Sequence, residues 1–477
     1  MSEIEQALVP KSPQNKVTIS TLGLISIAII SVDSIRNLPI NATYGFSVLF
    51  FYIVLGICFF LPLIIAAREF ASESSSTGGS YLWIKSAFGE NVGFLSIWLQ
   101  WVYNMIWYPT IFSFMVTTFG SLINDDLPNN KVFLVFCSLG LFLLITLLSL
   151  RGVEATSHFS MYCSFFGTLF PMGIMIILGI VWMAKGETIG IDISWKGFFP
   201  SGDTVDNLSY FGNILFSLLG IEVIAMHAKE VENPKKSYPI ALTVAGIFII
   251  ISLALSSLAL CIIVPPDALS NQLAEGAIKV FRTFFDGYGM GWASYFMGAF
   301  MILGSLGVAS SWIIGLARGL EVALKDSNFI PSSFIKKNRH DIPYKILIFQ
   351  TVIFVILMCI MLFMPDGPNS FYSLLSILTS QFSLFYYMIL FSAVIKLNYK
   401  REKKIRVYSL VLNVLAILAS LTGIIVGYFP ASSVTNVLAY EMELIAGEFI
   451  FIFPIIIFFF VKKRKDQIKK SKKEIEA

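Results

Sequence analysis

The sequence predicts an all-α polytopic membrane protein of about twelve transmembrane helices, with helices one and six broken. Three observations lead there. Of its 477 residues, 56% are hydrophobic and only 13% charged, against about 25% charged in soluble domains. Apolar runs of the roughly 20 residues needed to cross a bilayer recur along nearly the whole chain. Two of those runs also contain residues that a plain lipid-facing helix does not tolerate.

The first run, near 18–44, carries Ser31-Val-Asp-Ser-Ile-Arg-Asn-Leu-Pro39 at its middle. A charge at that depth costs roughly 2.5–3.5 kcal/mol on insertion scales, so such residues usually line a pathway or a cavity. Pro39 frees a backbone carbonyl that something else must satisfy. The run therefore reads as a broken helix, the device by which secondary transporters build midplane sites. Further spans fall near 47–68, 93–122, 131–150, 157–184, 206–228, 238–264, 291–322, 343–364, 369–396, 406–429 and 436–461. Loops are short, and the longest, 265–290, has room for small external helices.

The sixth span contains the second interruption, Ser217-Leu-Leu-Gly-Ile-Glu222, where Gly220 relaxes the backbone and Glu222 is an acid in an apolar setting. Matching breaks in two halves point to an inverted-repeat transporter with its site between them. Half-helix N-termini favour a carboxylate and half-helix C-termini an ammonium, so a zwitterionic amino acid would satisfy both. Against this stands close packing at Gly220, with Glu222 bound to an interior hydroxyl. Arg36 is either a ligand for a carboxylate or one half of a structural ion pair with Asp33 or Glu222.

Basic residues set the expected orientation. Of 34 Lys and Arg, only Lys131, Lys185, Lys196, Lys279 and Arg282 fall in the loops of one side. Both termini are thus expected in the cytoplasm. Residues 1–17 form a polar N-terminal segment without the pattern of a removable signal peptide, 18–461 the transporter domain, and 462–477 a basic tail beside lipid headgroups. Nucleic acid is not an expected partner, because the net charge of +4 is scattered through loops. The five cysteines lie in apolar runs as small hydrophobes. The three histidines are far apart and no hydrolase motif is present, so no metal, cofactor or enzymatic activity is expected.

Three stretches carry a family resemblance. They are Ala67-Arg-Glu-Phe-Ala-Ser through Phe88-Gly-Glu-Asn, Glu230-Val-Glu-Asn-Pro-Lys-Lys-Ser-Tyr-Pro-Ile-Ala, and Ser311-Trp-Ile-Ile-Gly through Arg318-Gly, Phe329-Ile-Pro and Pro343. Together they resemble amino acid–polyamine–organocation (APC) permeases, and within that superfamily the bacterial glutamate/GABA antiporters. The resemblance implies two inverted five-helix repeats, about 18–184 and 206–396, with accessory helices over 406–461. It implies an inner-membrane amino-acid antiporter working by alternating access; a proton-coupled permease or a non-transporting sensor occluded by Arg36 are the alternatives. Carried over, Ile35, Arg36 and Asn37 at the first break and Gly220, Ile221 and Glu222 at the second would hold the substrate. Asn104, Trp312, Tyr386 and Tyr387 would line the cavity. Glu222 is the candidate for proton coupling, since protonation relieves the cost of a buried charge. Small amino acids and membrane lipids are the expected partners, and a homo-oligomer is left open.

The chain also departs from the family. Ile35-Arg36-Asn37 stands where many members have a Gly-Ser-Gly-like break, and Val308 where the glutamate/GABA antiporters carry an acid. The fifth span lacks the lysine of some proton-coupled relatives. Ser310 and Ser311 are weak candidates for sodium ligands. On the loop before helix seven, Ser237 is expected to cap the helix.

Overall fold

The computed structural model describes residues 19–73, 79–151, 162–200, 208–222, 224, 231, 233–327, 335–364, 367–402, 407–430, 434 and 436–476. The expected N-terminal segment 1–17, His158 and His227 lie outside the described residues.

Among the described residues, eleven helices are long and apolar enough to cross a membrane. Numbered in chain order with the interrupted segment as the sixth, the spans are Thr21–Ala42, Gly45–Arg68, Glu90–Ile123, Lys131–Ser149, Tyr162–Ala184, the sixth from Leu208, then Pro234–Ile263, Trp292–Lys325, Tyr344–Phe363, Gly367–Lys400, Val407–Val426 and Val437–Arg464. The sixth is short because its helix Phe211–Ser217 ends in a break at Leu218.

The first span is likewise discontinuous. Its helix Thr21–Val32 ends where Asp33 and Ser34 turn extended, a tight turn follows over Ile35–Asn37, and helix resumes at Leu38–Ala42. Pro39 lies in the first turn of that second piece, where a missing N–H costs nothing. The interruption thus falls at the charged stretch, with Pro39 starting the new helix rather than kinking an old one.

The first span packs chiefly on the seventh, and the third on the eighth and tenth. The third span is the most enclosed, with Gln100–Thr118 buried throughout; the twelfth lies largely open, with Phe449, Ile450 and Phe460 exposed. An apolar outer face is what lipid requires. One isolated bridge joins Ile19 to Val231. Beside it the Thr21 hydroxyl donates to Ser237 Oγ at 3.1 Å.

That contact corrects the expected cap. The seventh helix begins at Pro234 behind Asn233, whose φ is +51°, and Ser237 stands inside the first turn. Proline at the first helical position is preorganised for a start, so the Asn-Pro pair sets the boundary.

At the opposite end of the bundle, the amphipathic loop helix Gly276–Gly287 packs chiefly on the eighth span and is hydrogen-bonded to the end of the third. Arg282 donates to the Ser121 carbonyl at 2.8 Å and pairs with Asp125, while Ser121 donates to Glu275 at 2.8 Å. The exposed Asp125 carboxyl is held below its usual range by that guanidinium.

Two π-turns, Gly56–Phe60 in the second span and Phe165–Leu169 in the fifth, widen the helices locally. The second brings Gly167 against Gly304 of the eighth span so closely that a Cβ on Gly167 would fall 2.2 Å from the Gly304 nitrogen. Small residues permitting backbone contact are the usual glue of membrane helices. Gly167→Val should therefore lower thermal stability by about 1–3 kcal/mol or more. Gly140→Ala, placed in open space, should not lower it. Melting of the detergent-solubilised protein, followed by size-exclusion chromatography, measures both.

Candidate functional site

Gly220 holds the two breaks together. Its φ of +108° is one that L side chains rarely adopt, and an added Cβ would sit 2.7 Å from the Ser31 carbonyl oxygen and 3.8 Å from the Trp312 ring. The Ser31 hydroxyl, in the last turn before the first break, lies 3.2 Å from the Gly220 carbonyl. On the other side the Gly220 N–H donates to the Tyr387 hydroxyl at 3.2 Å.

Tyr387 in turn donates to Glu222 Oε1 at 2.7 Å. Glu222 is 2% exposed, and its second oxygen is buried without a hydrogen-bond partner among the described residues. One tyrosine of the tenth span therefore fixes both the backbone and the acid of the sixth-span break.

Arg36 is 1% exposed. One of its terminal nitrogens lies 3.0 Å from Thr110 Oγ1, 3.4 Å from the Tyr372 hydroxyl and 3.5 Å from Ser376 Oγ; the other donates to Asn37 Oδ1 at 2.5 Å. Its Nε has no hydrogen-bond partner among the described residues. The guanidinium sits 5.8 Å from the ring centres of both Phe216 and Tyr372, within cation–π range. Among the described residues no ion pair within 4.0 Å joins it to Asp33 or Glu222. The structural ion pair weighed for Arg36 is thus not formed. A positive charge is buried among hydroxyls and rings with no anion of its own.

Rings connect the two charged groups. Phe216, beside Arg36, is 6.4 Å from Tyr103, and Tyr103 is 6.3 Å from Tyr386, which stacks edge-on with Tyr387 at 4.9 Å. Ile35 and Ile221 are buried at the breaks. Tyr386 donates to Ser80 at 2.6 Å, tying the tenth span to the helix Gly79–Phe88. Asn104 returns its amide to the Gln100 carbonyl of its own helix at 2.8 Å. Its neighbour Tyr103 makes the ring contacts instead. Ser310 likewise donates to the Gly307 carbonyl of its own helix.

Sequence reasoning missed Thr110, Tyr372 and Ser376 around Arg36, and Phe216 and Tyr103 between the charges. A signal was present. Tyr372, Ser376, Ser380, Ser383 and Tyr387 recur at steps of three or four, a polar stripe on one face of an apolar helix, and all five are buried.

Two broken helices pressed together at a glycine, with a buried acid and a buried base on either side, define a membrane transporter built around a central polar site. The comparisons agree. An amino acid permease family model matches residues 18–447, and the chain belongs to that family. It is 37% identical over 464 residues to an uncharacterized transporter of Legionella pneumophila, covering 95% of this chain and 98% of that one. It is 25% identical over 436 residues to a glutamate/gamma-aminobutyrate antiporter of Lactococcus lactis, covering 88% and 86%. A third relative, 27% identical over 302 residues and covering 62% of each, is named a probable agmatine/putrescine antiporter of Lactococcus lactis. The protein is an integral membrane transporter rather than an enzyme.

Because the geometry at Gly220 admits no side chain, Gly220→Ala should abolish transport while the protein remains monodisperse. Tyr387→Phe removes a hydrogen bond to a carboxylate worth about 1.5–3 kcal/mol. It should loosen the hold of the tenth span on the sixth-span break, read as a lower melting temperature of the detergent-solubilised protein.

Proposed function

We propose that the protein is an amino-acid antiporter of glutamate/GABA type, working by alternating access, whose substrates present a carboxylate to Arg36. The carrying observation is the guanidinium itself: fully buried, hydrogen-bonded only to neutral groups, with Nε unused. A charge in such a place is costly until an opposite charge joins it. Arginine also offers a carboxylate a two-pronged grip. Glu222 and the broken backbone at Gly220 would receive the ammonium, with Trp312, Tyr386 and Tyr387 as walls and Ile35, Asn37 and Ile221 contributing backbone. The glutamate/GABA antiporter among the relatives supports this reading.

On this proposal the residues 18–184 and 206–396 form the two repeats, and 406–461 the accessory pair. Both termini face the cytoplasm of a bacterial inner membrane, as the skew of basic residues supports. A sensor occluded by Arg36 is the second reading, favoured by one observation: both Arg36 and Glu222 are closed off from solvent. An alternating-access cycle passes through such a closed state, so closure alone does not divide the two.

Proteoliposomes preloaded with unlabelled glutamate do. Labelled glutamate or GABA should enter loaded vesicles and not empty ones, and Arg36→Gln should cut that exchange about 10- to 100-fold, the loss of a charge-assisted contact. Uptake of neutral amino acids into empty vesicles would replace the antiporter with a proton-coupled permease. No movement of any amino acid would leave the sensor.

A further inference from the structure

Asp33 takes no part in the site above, although it stands at the first break, three residues before Arg36. It is 1% exposed. Its Oδ2 lies 2.9 Å from the Ser252 hydroxyl of the seventh span, and its Oδ1 is buried with no hydrogen-bond partner among the described residues.

We propose that Asp33 is a proton-binding site of the transporter, separate from the substrate site, holding its proton on the carboxyl against Ser252. Three features carry this. The Ser252 hydroxyl has a single proton and stands 3.0 Å from the Ile249 carbonyl as well as 2.9 Å from Asp33. An ionised Asp33 would take that proton away from Ile249. A protonated one donates to Ser252 Oγ while Ser252 donates to Ile249, and every donor is used.

Next, no cation compensates an ionised form. Among the described residues, the elements packed on this part of the first span are the seventh span, the π-turn of the fifth, the helix Phe211–Ser217 and the sixth-span break, where Gly220 meets Ser31. None supplies a cation at this depth: Glu222 of the sixth-span break is an acid held by Tyr387, and Lys235 and Lys236 lie at the far start of the seventh. Arg36 turns its terminal nitrogens to Thr110, Tyr372, Ser376 and Asn37, and no ion pair within 4.0 Å joins it to Asp33 among the described residues. Tyr52 of the second span is a further ionisable group within electrostatic reach. Its oxygen accepts from Asn41 at 2.8 Å and lies 3.4 Å from Ser217 Oγ, whose own proton goes to the Ile214 carbonyl at 2.7 Å. Tyr52 is thus engaged by Asn41 and the serines beside it, and no hydrogen bond joins it to Asp33 among the described residues.

Finally, Asp33 is the C-terminal cap of the helix Thr21–Val32, its N–H bonded to the Ile29 carbonyl at 2.9 Å. The negative end of a helix dipole disfavours an anion there. Moving with the first break, the carboxyl would take a proton from water on one side and return it to water on the other.

Infrared difference spectroscopy of the full protein in liposomes, between acidic and alkaline buffer and without substrate, reads the site directly. One component of the protonated-carboxyl C=O band of wild type should persist in Glu222→Gln, be lost in Asp33→Asn, and be shifted in Ser252→Ala. A spectrum unchanged by Asp33→Asn overturns the site. Only the coupling role rests on the transport reading, and it is tested by an internal pH dye during substrate exchange. Substrate-driven proton movement should be lost in Asp33→Asn and restored in Asp33→Glu. Its persistence in Asp33→Asn, or a requirement for sodium when choline replaces it, overturns the coupling. Ser252→Ala keeps the spectral test open should Asp33→Asn fail to fold, and a total absence of transport leaves the infrared result standing.

Discussion

The contact of the two broken helices at Gly220 is the constraint on which the site depends. With φ at +108° and the Ser31 carbonyl where a Cβ would go, only glycine lets the sixth-span break meet the first. That approach has two consequences in bonding. The Gly220 N–H, freed by the loss of helix, is taken by Tyr387, and its carbonyl lies 3.2 Å from the Ser31 hydroxyl, which also reaches the Ala28 carbonyl at 2.8 Å. Glu222, two residues on, is then delivered to the same tyrosine. Position 220 thus fixes where the acid stands and which span holds it.

Three ionisable side chains, Asp33, Arg36 and Glu222, are buried within a short distance in sequence or through a chain of rings, and the structure keeps them from pairing. Arg36 is drawn to the hydroxyls of the third and tenth spans, Asp33 to the seventh, Glu222 to Tyr387. A buried ion pair between them would be hard to break and inert toward ligands. Unpaired groups cost stability, and that cost is recovered when a ligand or a proton arrives. Separation of charge is therefore what a binding site gains from these helix breaks, and the tightly enclosed third span supplies the rigid wall against which it is held.

Much of this was legible in the sequence. Composition and run length are properties of single segments, so the spans and both interruptions could be read from them; Asp33, Arg36 and Glu222 stand out because a charge is costly in a plain lipid-facing helix. What could not be read was direction. Asn104 was singled out as the polar residue of the third span, yet it satisfies itself on its own helix, and Thr110 beyond it reaches Arg36. Periodicity identifies the hydroxyl face of the tenth span but not which span it meets. Whether Arg36 pairs with an acid depends on the packing of four helices, and no local pattern encodes that.

The backbone device and the side chains around it do different work. Helix ends at the two breaks offer partial charges of both signs to any small ammonium carboxylate, and nothing in them chooses among substrates. The choice falls to position 36 and its surroundings. A buried guanidinium without an anion attracts a carboxylate and repels a cation in the same place, and repulsion of the wrong ligand contributes to specificity as much as attraction of the right one. A diamine or an agmatine-like cation brings no group to neutralise Arg36 and adds charge of the same sign. On the proposed reading, in which Arg36 faces the substrate, the acidic class named among the relatives fits this site, and the polycationic one would require Arg36 to leave it.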